Sequence, residues 1–122
     1  MSFNFIPSRE VEVPEIHYEN ELVLQKNRYD GFYGSPLEHY LSHVWKVQHV
    51  VIVGTVSNIC VAHTAGSAGL RWFNIVIPSD GISAFTEFDQ AMTLRQVTSL
   101  YAGKIVRSTD DVSFRQVIEV DS

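Results

Sequence analysis

The 122-residue sequence has one cysteine, four prolines and nine basic residues against fourteen acidic ones. No apolar run approaches the roughly 20 residues that a membrane-spanning helix needs. Each shortage excludes something. A single cysteine cannot close an intramolecular disulfide, so the fold must hold without covalent staples, and a reducing compartment keeps the thiol available. With a formal net charge of -5 and scattered basic residues, there is no positive stripe to neutralise phosphates, which argues against a nucleic-acid partner. Met1-Ser2-Phe3-Asn4 lacks the basic start and apolar stretch of a secretory leader. The expectation is a cytoplasmic protein with no membrane partner.

What is present suits a folded core. The chain is 45% hydrophobic and 11% aromatic, with the length of one domain, 1–122, and no internal repeat or low-complexity tract. Met1 to Asn20 reads as extended and irregular, punctuated by Pro7 and Pro14. Leu22-Val23-Leu24-Gln25 then reads as a short strand delivering Lys26 to its C-terminal end. Ser35-Pro36-Leu37-Glu38 has the pattern of a capping box and predicts a helix from Pro36 to about Val44. A strand at His49–Val53, a small-residue helix from about Ile59 to Arg71 and a strand at Phe73–Ile77 follow. Pro78-Ser79-Asp80-Gly81 closes that strand as a turn.

Phe88, Ala91, Met92, Leu94, Arg95, Val97 and Tyr101 form a mainly apolar stripe of helical period, predicting a helix over about Glu87–Ala102 with Gly103 as its cap. A last strand at Lys104–Arg107 leads to a short helix beginning at Thr109-Asp110-Asp111. Almost continuously apolar strands alternating with helices predict an α/β fold: a Rossmann-like, three-layer parallel sheet with helices on both faces. Ligand sites in such sheets lie at the strands' C-terminal ends, where Lys26, the Thr55–Cys60 turn and Asp80 fall.

Cys60 is the candidate nucleophile. By burial habit a lone cysteine is a small hydrophobe, but this one follows the Gly54-terminated strand and opens a helix containing Ala62, Ala65, Gly66, Ala68 and Gly69. Small residues let a helix lie close on a sheet. A thiol in the first helical turn faces the positive end of the backbone dipole, which favours thiolate.

Lys26, Arg28-Tyr29-Asp30-Gly31-Phe32-Tyr33-Gly34-Ser35-Pro36-Leu37, Gly54-Thr55-Val56-Ser57-Asn58-Ile59-Cys60-Val61 and Thr64-Ala65 together resemble the isochorismatase-like cysteine hydrolases, from about Glu10 to about Phe114. That family includes nicotinamidases, N-carbamoylsarcosine amidohydrolases and ureidoacrylate-type hydrolases. The resemblance implies a hydrolase of a small amide or carbamoyl compound working through an acyl-enzyme. It matches Cys60 to the nucleophile and Lys26 to its supporting lysine. It also implies a non-proline cis peptide at Thr55-Val56 and an oxyanion hole from the amides of Val56 and Cys60. Phe32 and Tyr33 are candidate pocket residues, although aromatics preceding a helix commonly anchor a core.

The family's aspartate belongs to an N-terminal strand that Met1–Asn20 does not match, so the chain is expected to be N-terminally truncated relative to the family. The family's metal ligands belong to the same region, so no metal and no cofactor are carried over. An unpaired edge at Val50–Val53 would follow, and with it homo-oligomerisation or strand exchange. A non-catalytic remnant or assembly subunit of the same fold is the alternative function. Asp30 is a possible substitute acid/base.

The remaining polar residues have plainer readings. Ser57 and Asn58 read as N-cap residues, Asp80 as a turn former and His63 as a packing residue. His39 and His43 have the i, i+4 spacing that can hold zinc, but lack an intervening Glu or a third ligand.

Overall fold

The computed structural model describes residues 21–114. Its helices are α1 (Leu37–His39), α2 (Ala62–Leu70) and α3 (Glu87–Tyr101). Its strands are β1 (His49–Val51), β2 (Gly54–Thr55), β3 (Asn74–Pro78), β4 (Ile82–Ser83) and β5 (Lys104–Val106). The five strands form two parallel sheets, β1-β3-β5 and β2-β4. Val50 lies opposite Ile75, Val76 opposite Lys104, and Gly54 opposite Ile82. Parallel neighbours need crossovers, and α2 and α3 supply them between β1 and β3 and between β3 and β5. Parallel strands alternating with helices are the architecture expected from the sequence.

β3 is the middle of the larger sheet, and its side chains explain why. Ile75 and Ile77 share one face and are 2% and 0% exposed. They pack in a cluster with Ala65, Ala68, Phe73 and Val97. The small residues of α2 divide their labour. Ala65 and Ala68 are fully buried, whereas Gly66 and Gly69 face Tyr101 of α3. A Cβ on Gly66 would stand 2.9 Å from the Tyr101 Oη. The glycines therefore set how closely two helices approach, rather than how closely a helix approaches the sheet.

Several boundaries differ from the sequence-based expectations. Leu22–Gln25 forms no strand; Leu22 and Val23 are exposed, and Lys26 reaches the site from irregular backbone. The helix predicted from Pro36 is one α-turn, α1, continued by a π-turn at Tyr40–Val44. Ser35 Oγ accepts from the Leu37 amide at 3.3 Å. Glu38 pairs with Arg71 at 2.7 Å, so the reciprocal half of a capping box goes elsewhere. On α3 the buried side chains are Thr93 and Val97, with Leu94 and Tyr101 partly buried, whereas Phe88 and Met92 are exposed. The stripe read from the sequence is rotated because a buried threonine can return its hydroxyl to the helix: Thr93 Oγ1 donates to the Asp89 carbonyl at 2.8 Å. α3 ends with Ala102 in the left-handed region at φ 53, one residue before the expected glycine.

Among the described residues β1 pairs with β3 alone. An open groove of about 470 Å³ runs beside it, lined by Phe32, Leu37, Leu41, Val50, Ile52 and Phe114 among others. No helix of the described residues is long and apolar enough to cross a membrane.

Candidate active site

β1 leads through Ile52, whose amide donates to the Val76 carbonyl at 3.0 Å, into a turn that the local sequence shapes. Gly54 has φ 130, a left-handed value that L side chains rarely adopt, although the space around it is open. The next peptide bond, Thr55-Val56, is cis. Ser57–Val61 then forms a π-turn that runs into α2, with the Val56 carbonyl accepting from the Ile59 and Val61 amides at 3.0 and 3.2 Å. Cys60 thus sits in the first turn of a helical segment, half-buried and unoxidised. The segment begins at Ser57, two residues before the expected start, because the wider i→i+5 turn draws in the preceding residues.

Lys26 meets Cys60 across 34 positions of sequence. Its Nζ donates to the Cys60 Sγ at 3.6 Å and to the Arg28 carbonyl at 3.0 Å. An ammonium has donors only, so the sulfur is the acceptor in this contact. The turn bearing Cys60 is fixed from behind by a residue that sequence reasoning missed. Gln90 of α3 accepts from the buried Ser57 hydroxyl at 2.5 Å. Its Nε2 donates to the Ser79 carbonyl at 3.3 Å and to the Ile82 carbonyl at 3.5 Å. One amide therefore ties the Cys60 turn to the end of β3 and to β4. The only sequence signal was a polar residue on the inner face of an amphipathic helix.

Ser57 is therefore a buried tie rather than an N-cap. The N-cap position belongs to Val56, which makes no side-chain cap, and Asn58 is exposed. Asp30 is occupied elsewhere. Its Oδ1 accepts from the Phe32 amide at 2.8 Å, and its Oδ2 accepts a short hydrogen bond from Ser67. Arg71 donates in turn to the Ser67 hydroxyl at 3.0 Å. This network anchors the loop to α2 and gives Asp30 a positioning job instead of an acid/base one.

Phe32, 5% exposed, stacks on Phe73 at 6.1 Å and lies under the Arg71 guanidinium. It belongs to the core cluster and also lines the groove beside β1. Tyr33 is exposed beneath Arg28, with ring and guanidinium 5.9 Å apart. Neither is brought against Cys60 by any contact seen here. Asp80 holds a turn as expected, its Oδ1 accepting from the Thr109 amide at 2.8 Å. The His39 and His43 rings lie 5.6 Å apart, and no cluster of three metal-ligating side chains occurs among the described residues.

His63 is exposed, one turn after Cys60. Its Nδ1 is 2.5 Å from the Ile59 carbonyl, and its ring lies 5.3 Å from that of Tyr29. The loop that carries Lys26 to Cys60 therefore also meets His63.

A model of the isochorismatase domain matches residues 3–111 of the chain. The uncharacterized isochorismatase family protein YaaI of Bacillus subtilis is 32% identical over 82 residues, which are 67% of this chain and 45% of that protein. Among solved structures, the nicotinamidase SaPncA from Staphylococcus aureus superposes with a TM-score of 0.67 at 30% identity, covering 70% of this chain and 53% of that one. N-carbamoylsarcosine amidase from Thermoplasma acidophilum gives a TM-score of 0.71 at 28% identity, covering 80% and 54%. The chain spans about half the length of the relatives it matches.

Proposed function

The chain belongs to the isochorismatase family, and on that premise we propose that it carries the nucleophilic half of a cysteine hydrolase acting on small amide or carbamoyl compounds. The observation that carries the reading is the Lys26 Nζ donating to the Cys60 Sγ at 3.6 Å, beside a helix start that follows a cis peptide. The names of similar proteins, a nicotinamidase and an N-carbamoylsarcosine amidase, support the substrate class.

In this reading the Cys60 thiolate attacks the carbonyl carbon, forming a C–S bond while the carbonyl electrons move to oxygen. The amides of Val56 and Cys60 are assigned to hold that oxyanion, a contribution of about 3 kcal/mol per donor in comparable sites. Collapse breaks the C–N bond, and the leaving nitrogen takes a proton from water as it departs. The hydroxide left behind cleaves the thioester, giving the acid and regenerating the thiolate. Lys26 holds its Nζ against the sulfur, while Gln90 and Ser57 hold the turn that carries both amides.

Intact mass after incubation with nicotinamide and with N-carbamoylsarcosine tests the proposal, with released ammonia followed in parallel. The expected result is an adduct on Cys60 and ammonia release, both lost in Cys60→Ala. Ammonia release that survives in Cys60→Ala would reject it.

A further inference from the structure

Resting on the hydrolase reading above, we propose that His63 is a substrate-contacting residue that selects an uncharged –NH2 group, as in a primary amide or a ureido compound, over a carboxylate. The ring's chemistry is set by its hydrogen bond. The Ile59 carbonyl can only accept, so the Nδ1 that lies 2.5 Å from it carries the proton and donates. In the neutral ring the remaining nitrogen, Nε2, is then an acceptor. Nε2 has no hydrogen-bond partner among the described residues.

Position supports the same conclusion. His63, in the first turn of α2, follows by three residues the Cys60 of the preceding π-turn, and one loop touches both. Tyr29 braces the imidazole at 5.3 Å, and three residues earlier on the same loop Lys26 reaches the Cys60 sulfur. The ring is therefore fixed by a backbone bond on one nitrogen and an aromatic face alongside. An exposed histidine that served only to cover surface would need neither. A fixed acceptor near the nucleophile favours a group with hydrogens to give and disfavours a carboxylate, which has none.

Two alkylating reagents with the same leaving group test this without requiring turnover. Iodoacetamide carries the –NH2 and iodoacetate the carboxylate, and in both cases the Sγ–C bond forms as iodide leaves. The readout is the ratio of Cys60 alkylation rates, measured by intact mass on the full chain. Replacing the acceptor, His63→Ala, is expected to lower the amide-to-carboxylate ratio about tenfold, the size of one hydrogen bond. His63→Gln, whose side-chain oxygen can accept at the same reach, is expected to restore most of it. A merely structural role would slow both reagents equally, and an unchanged ratio in His63→Ala with a fast-reacting Cys60 overturns this inference alone. A Cys60 that reacts no faster with either reagent than it does in the denatured chain overturns the hydrolase reading and this inference with it.

Discussion

β1 and β3 are written in nearly the same alphabet, Val50-Val51-Ile52-Val53 against Ile75-Val76-Ile77, yet they live in different environments. β3 has a strand on either side and three side chains, Ile75, Ile77 and Pro78, at 2% exposure or less. β1 has a strand on one side among the described residues, opens onto an apolar groove, and gives way to a Val53 that is 54% exposed. An apolar run therefore announces a strand but does not announce its cover. Cover is a property of neighbours, and it separates a rigid platform from a surface still able to take a partner.

The largest expected effect follows from that contrast. Ile77→Ala removes methyl and methylene groups from a fully buried site, and should cost about 2–5 kcal/mol in urea unfolding. The corresponding truncation on the open strand, Val51→Ala, removes one carbon fewer from a half-buried side chain and should cost less than about 1 kcal/mol. Equal losses at the two positions would mean that β1 is as well covered as β3.

A smaller effect belongs to the tie behind the Cys60 turn. Ser57→Ala leaves the Gln90 Oε1 without its hydroxyl donor and should cost about 1–3 kcal/mol, with hydrogen exchange rising first at the amides of residues 57 to 61. Uniform loss without local exchange would show that Gln90 finds another donor. The smallest effect is a gain. Ala102 occupies a left-handed position that glycine adopts more readily, so Ala102→Gly should stabilise by up to about 1 kcal/mol and raise the melting temperature by a few degrees.

Much of this was legible in the residues. The order of strands and helices and the break after Gly54 followed from apolar patterning, whereas the pairing of Lys26 with Cys60 was implied only by the family resemblance of two well-separated motifs. What escaped was set by contacts distant in sequence. Gln90 looked like any polar residue on a helix, because nothing local shows that Ser57, Ser79 and Ile82 converge on its amide. β4 is two residues long, too short for any periodicity to reveal. Gly66 and Gly69 promise a close approach to the sheet, whereas they admit Tyr101 of a helix more than thirty residues away. Asp30 had the chemistry of an acid/base and the location of a loop anchor. Only the Ser67 and Phe32 partners decide between the two.

The central claim is that Cys60 is a nucleophile supported by Lys26, and the rate at which iodoacetamide alkylates it in the native chain, in Lys26→Met and in the denatured chain tests it most directly. Native Cys60 is expected to react faster than the denatured thiol, with Lys26→Met slowing it about tenfold while the circular dichroism stays native. A native rate at or below that of the denatured chain, unchanged by Lys26→Met, would contradict the account.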